Sequence, residues 1–308
     1  MRRVSSLARI GRLARIARLA SRSVGFGGGG ARASTPAREW SWAASYALPD
    51  VAEWPEQSEL LTQARSYSAP LVPMVMQTGF DPSATMATDS AAMAALDAAI
   101  IAGVPDGYGG LALLDHETPT FSLWRQSASS DADVMLAVEY CAALLARAKQ
   151  VRPEARWGMY GMPRRPGSEI TWTEWHRRVA MSAPLWAASD AVHVGCYVTT
   201  WDPEQWLHDE CTTVLSESGA WARPTYAWIC PRYSRGSAVA AEHGRQIPEA
   251  YLASRARALA AAGGTSPWVR GICVWDGARA DSDEDRAELI AQADVCWRAV
   301  IAAMRGAQ

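Results

Sequence analysis

Asp115 and Glu117 end a run that reads Gly109-Gly110-Leu111-Ala112-Leu113-Leu114-Asp115-His116-Glu117. A short apolar run after a glycine pair reads as a parallel strand buried on both faces. Two acids at its C-terminal end are costly there unless they serve a purpose. Successive strand side chains alternate between faces, so Asp115 and Glu117 share one face and His116 takes the other. At a rise of roughly 3.3 Å per residue the carboxylates start about 7 Å apart and can approach closely. Close carboxylates push each other's pKa values apart, so one stays ionised while the other holds a proton near neutral pH. That pairing suits acid catalysis on a glycosidic bond. The competing reading is structural: a strand end whose acids cap a neighbouring helix.

The elements that must position this pair alternate along the chain. Strand-like runs fall at Trp40–Ala47, Pro70–Gln77, Gly110–Glu117, Arg156–Met162, Ala191–Val198, Pro224–Cys230 and Val269–Trp275. Ala-rich stretches with helical spacing lie between them, at Ser90–Ala102, Asp131–Lys149, Trp172–Ala188, Pro248–Ala262 and Asp283–Met304. Strands separated by helices imply βαβ units and a parallel sheet. The expected fold is α/β: a TIM-like (β/α) barrel of seven or eight strands over 38–308, preceded by a basic arm and Gly-rich linker over 1–37. No Gly-x-Gly-x-x-Gly or Walker pattern follows a strand, so a dinucleotide or P-loop site lacks its central feature.

Barrel chemistry sits at the C-terminal ends of strands. Besides Asp115 and Glu117, those ends carry Tyr160, Tyr197, Tyr226, Trp228 and Trp275. If they point into one mouth, two acids stand in a cup of Tyr and Trp, with hydroxyls to hydrogen-bond a sugar and flat faces to stack on it. Arg125, Arg164, Arg165 and Arg232 lie just beyond strand ends and could add local positive charge. Most of the 15 Trp, set against three Phe, are expected to be core.

Charge is unevenly spread. Residues 1–38 hold nine of the 30 basic residues and no acid, so 21 basic residues face 32 acidic ones in the rest. An acidic body argues against a nucleic-acid groove in the barrel. Within the arm, Arg9, Arg12, Arg15 and Arg18 repeat every third residue before the glycines of 25–30. Such an arm fits a targeting segment, a contact with a membrane surface or polyanion, docking on a larger particle, or a solvated tail. Arg interrupts any apolar core of secretory-signal length, and no run is long enough to span a bilayer. Compartment is left open. The six Cys show no Cys-x-x-Cys and no zinc spacing, and Cys196, Cys230 and Cys273 sit in apolar runs as small hydrophobes. No metal and no cofactor is expected.

Gly110-Leu111-Ala112-Leu113-Leu114-Asp115-His116-Glu117 resembles the Gly-Leu-Ala-Val-Ile-Asp-Trp-Glu of the hyaluronidase family of glycosidases. Arg152-Pro153 followed by Trp157-Gly158-Met159-Tyr160, the strand-end Tyr197, Pro224-Thr225-Tyr226-Ala227-Trp228 and Gly271-Ile272-Cys273-Val274-Trp275 are similar to further family motifs, in order. The chain departs from the family at His116, where an aromatic is usual, at Thr118-Pro119-Thr120-Phe121 in place of Trp-Arg-Pro, and at Asp276 in place of Gly. The family's disulfide positions are not evident.

The resemblance implies a seven-stranded β/α barrel and a hydrolase cleaving beside N-acetylhexosamine in a polysaccharide. It implies a retaining, substrate-assisted route in which the substrate's acetamido oxygen attacks the anomeric carbon. Glu117 would be the general acid, Asp115 would hold the acetamido N–H, and Tyr197 would bond the same group. Tyr160, Tyr226, Trp228 and Trp275 would shape the sugar pocket. A barrel-type muramidase acting on peptidoglycan shares the carboxylate pair. A non-catalytic glycan-binding barrel attached to a larger assembly is the alternative from another class. The substrate-assisted route demands a 2-acetamido group, so a plain glucoside is expected to resist hydrolysis in a reducing-sugar assay.

Overall fold

The computed structural model describes residues 43–45, 72–166, 169–197, 204–232, 246–275 and 283–306. The basic arm, most of the first expected strand and Asp276 lie outside them. In chain order the elements are β1 (Ala43–Ser45), β2 (Met74–Met76), α1 (Gln77–Phe80), α2 (Ser90–Gly103), β3 (Leu111–Asp115), α3 (Thr120–Arg125), α4 (Asp131–Val151) and β4 (Arg156–Met159). There follow α5 (Trp172–Met181), α6 (Ala183–Ala188), β5 (Val192–Gly195), α7 (Glu204–Ser216), a 3₁₀ turn (Glu217–Ala220), β6 (Thr225–Ile229), α8 (Glu249–Thr265), β7 (Val269–Trp275) and α9 (Asp283–Gly306).

Every strand pair is parallel. The strands form two arcs, β1-β7-β6-β5 and β2-β3-β4. A parallel bridge from Tyr160 to His193 sets the end of β4 beside β5. The full series is therefore 1-7-6-5-4-3-2, the cyclic order of a (β/α) barrel.

Period-two alternation sorts the side chains. Ala112 and Leu114 on β3 join Trp157, Val194, Ala227 and Ile272 in the large core between strands and helices. Leu111 and Leu113 face the other way and pack with Met74, Tyr226, Trp228 and Cys273 in a smaller interior core. Leu113 is in register with Gly158 of β4, and His193 of β5 with Tyr226 of β6. Asp115, two residues beyond Leu113, thus tops the inward column.

Local sequence explains the helix limits. Asp89 accepts the Ala92 N–H at 3.0 Å and starts α2. Ser130 and Asp133 form a capping box that starts α4. The single helix expected over Trp172–Ala188 is two, because Pro184 has no N–H to donate and its ring would strike the carbonyl four residues back. Ser182 fills the break: its hydroxyl donates to Arg178 O at 2.8 Å and accepts from Trp124 Nε1 at 3.0 Å. The sequence reading omitted α7, whose spacing of Leu207, Cys211, Val214 and Leu215 is helical but is diluted by the poor helix formers Thr212 and Thr213. Among the described residues no helix is long and apolar enough to cross a membrane.

Gly158 lets β4 and β5 approach. A Cβ there would lie 2.4 Å from Ala191 O and 2.5 Å from the His193 ring. Gly158→Ala is expected to destabilise by roughly 1–3 kcal/mol, as overpacking of a filled core does, and thermal unfolding would show it as a lowered Tm.

Candidate active site

The end of β3 is clamped from two sides. On one, Gln77 of α1 accepts the backbone N–H groups of Glu117 and Thr118, each at 3.1 Å, and donates to Thr118 O at 2.6 Å. On the other, His116 points out of the barrel and is fully buried. Its Nε2 lies 3.0 Å from Asp81 Oδ2, and its ring meets the Tyr140 ring edge-on at 4.9 Å. Asp81 also accepts from the Thr85 N–H, the Thr85 hydroxyl and the Met86 N–H. Burial raises the Asp81 pKa, but the bonds from His116, Thr85 and Met86 outweigh it and hold the carboxyl at about 2. Burial lowers the His116 pKa against the pull of Asp81. The pair is therefore a neutral imidazole donating to an ionised carboxylate, and it anchors the residue between the two acids of the mouth.

Inside the mouth the balance reverses. Asp115 is 7% exposed and its Oδ1 has no hydrogen-bond partner. Burial raises its pKa well above the carboxylate range, and repulsion from Glu117 adds to that, while Arg164 opposes it. Glu117 keeps solvent contact across the mouth, yet crowding by its neighbours raises its pKa too, again against Arg164. The two acids interact strongly enough to titrate as one unit, with proton uptake shifted to higher pH than in an ordinary pair.

Tyr160 follows β4, its N–H bonded to Leu114 O at 2.9 Å, and lies against both acids. Its hydroxyl shares a hydrogen bond with that of Tyr197. Burial pushes both hydroxyls well above their usual pKa, so they remain protonated donors at any working pH. Trp275 stacks on Tyr197 with ring centroids 5.7 Å apart and 12° between planes. Its Nε1 is buried without a partner. Trp228 meets Tyr160 edge-on at 5.8 Å and donates from Nε1 to His193 Nδ1 at 2.9 Å. Tyr226 stacks on His193 one layer deeper. Asp115, Glu117, Tyr160, Tyr197 and Trp275 thus meet at the mouth, with Trp228 and Tyr226 as a floor fully covered from solvent.

Of the four arginines past strand ends, Arg164 is the one whose charge reaches the acids. Its guanidinium sits 4.4 Å over the Phe121 ring, and its backbone carbonyl accepts Trp175 Nε1 at 2.7 Å. Gly161 makes room, with φ of +72° and the Phe121 ring 2.5 Å from where a Cβ would stand. Arg125 pairs with Glu169 and Arg165 with Glu210. Phe121 and Gln77 had no sequence signal, since neither lies on a periodic face. Among the described residues no group of three or more His, Cys, Asp or Glu side chains is placed to hold a metal ion.

The two Asp environments give opposite expectations. A raised carboxyl binds its proton more tightly folded than unfolded, so its contribution is present below the unfolded pKa and lost as pH climbs through the folded value. Asp115→Asn should therefore raise Tm at neutral pH by a few °C, roughly, and bring little near pH 4. A lowered carboxyl contributes above the unfolded pKa and loses that as pH falls through the folded one. Asp81→Asn should lower Tm at neutral pH, with the deficit shrinking as pH drops toward about 2. Thermal scans of both variants across that range test the pair of signs.

No protein-family model and no curated protein sequence matches the chain. Solved structures do. Bee venom hyaluronidase, in a monoclinic crystal, superposes with a TM-score of 0.63 at 12% identity, covering 82% of this chain and 99% of that one. Bee venom hyaluronidase in complex with a hyaluronic acid tetramer gives a TM-score of 0.61 at 13% identity over 82% and 94%. At such identity the likeness is one of fold, and the chain shares the β/α-barrel fold of these enzymes.

Proposed function

We propose that this protein is a glycoside hydrolase that cleaves beside N-acetylhexosamine in a polysaccharide, by a substrate-assisted retaining route. One observation carries the reading. The mouth holds a crowded Asp115–Glu117 pair with raised pKa values, set beside one unused buried acceptor, Asp115 Oδ1, and one unused buried donor, Trp275 Nε1. An acetamido group offers the matching N–H and C=O. The fold shared with bee venom hyaluronidase supports the same reading.

In this mechanism Glu117, the more solvent-accessible acid, delivers a proton to the leaving oxygen. The acetamido oxygen of the substrate attacks the anomeric carbon as the glycosidic bond breaks. Asp115 accepts the acetamido N–H and stabilises the positive charge that develops there. The Tyr197 hydroxyl donates to the same group, and Tyr160 and Trp275 enclose the ring over the floor of Trp228 and Tyr226. Water, activated by the now ionised Glu117, then opens the cyclic intermediate with net retention.

The test is reducing-end release from hyaluronan, chondroitin, chitin oligomers and peptidoglycan. Wild type should turn over an N-acetylated polymer, and Glu117→Gln should lose about 10²–10⁴-fold while keeping its fold. No release from any polymer, with wild type and Glu117→Gln binding glycans equally, would establish a non-catalytic binding barrel instead.

A further inference from the structure

A second cluster of chemically unusual side chains lies behind the mouth. Cys196 follows β5 and immediately precedes Tyr197, and Cys211 lies on α7. Both are buried free thiols, and their side chains are within hydrogen-bonding contact. Two arginines from other elements converge on the same sulfur. Arg165, in the loop after β4, places Nη1 3.9 Å from Cys211 Sγ. Arg255, on α8, places Nη2 3.8 Å from it.

Charge accounting distinguishes this cluster from ordinary packing. Arg255 is 1% exposed, and its Nε and Nη1 have no hydrogen-bond partner. An arginine stays protonated in proteins, and a buried cation without a counter-ion is strongly disfavoured. The buried carboxylate beside it, Glu210, pairs with Arg165 at 3.4 Å. For Arg255 the group in reach is the Cys211 sulfur, and it meets the need for an anion as a thiolate. The electrostatics agree: contact with Cys196, then Arg165 and Arg255, hold the Cys211 thiol well below its usual pKa against the effect of burial, while Cys196 is pushed well above.

We propose that Cys196 and Cys211 form a thiol–disulfide switch, with Cys211 as the nucleophilic thiolate held by Arg165 and Arg255, and Cys196 as the resolving thiol. The oxidant is a small peroxide able to enter a buried site. The Cys211 thiolate attacks one peroxide oxygen, the O–O bond breaks, and hydroxide leaves, giving a sulfenic acid. The Cys196 sulfur then attacks Cys211 Sγ, its proton leaves with the hydroxyl as water, and the S–S bond forms. Peroxide is reduced and two thiols are oxidised. A dithiol reductant reverses the link. The bond would tie α7 to the backbone that carries Tyr197. This proposal does not rest on the glycosidase reading.

The experiment treats the full chain with dilute hydrogen peroxide and maps each cysteine by peptide mass. Wild type should lose two hydrogens from the segment containing Cys196 and Cys211, reversibly with dithiothreitol, leaving Cys141, Cys230, Cys273 and Cys296 free. Cys196→Ser should instead leave a sulfenic acid at Cys211 that dimedone traps. The wild-type rate should be flat between about pH 6 and 8, because the thiolate is already formed, whereas an ordinary thiol gains about tenfold per pH unit there. The wild-type measurements decide the matter even where a variant does not fold. Persistence of both thiols, oxidation spread over the six cysteines, or that tenfold rise would overturn the proposal.

Discussion

Two carboxyl groups are held at the end of β3 without a direct ion pair among the described residues, and the surrounding structure is arranged around that cost. Asp115 is desolvated by the barrel interior and repelled by Glu117, and the one positive charge that reaches the pair, Arg164, offsets this only in part. Such a pair stays in place only if the backbone beneath it cannot relax. That rigidity comes from the opposite face of the same strand. His116 is locked by Asp81 against Tyr140, and Gln77 holds the next two peptide N–H groups.

The interior below the mouth serves the same end. Trp228, His193 and Tyr226 fill the barrel with rings whose polar atoms bond each other rather than water. A dry floor keeps the local dielectric low, and low dielectric is what makes the carboxylates interact strongly. Gly158 lets that layer close, because any side chain there would collide with the β5 backbone. Packing, pKa and candidate chemistry are therefore one problem: the rings that exclude water also shift the acids.

Tyr197 is where the two clusters touch. Its hydroxyl bonds Tyr160 and its ring stacks on Trp275, while the residue before it, Cys196, is in contact with Cys211. A local change at the thiols would move the backbone of a residue in the mouth. Interiors packed at this density transmit small displacements rather than absorb them.

Much of this was legible in the order of residues. Alternation at a period of two assigned Asp115 and Glu117 to one face and His116 to the other, because strand geometry leaves no choice once the strand is recognised. The same periodicity placed Tyr226, Trp228 and Trp275 on one face of their strands, although which were rim and which floor depended on register between strands. The reading of Cys196 as a small hydrophobe captured its burial but not its neighbours. Arg164 stood among four similar arginines, and no local pattern separates the one that reaches the acids from those bound to Glu169 and Glu210. The sequence by itself determined the strands, the face of each strand residue and the pairing of the two acids, since these follow from spacing along one segment. Only the tertiary structure decided the Asp81–His116 anchor, the Arg164 charge and the Cys196–Cys211–Arg255 cluster. Each joins residues on different elements, and close approach between elements is set by packing, which no periodicity along the chain encodes.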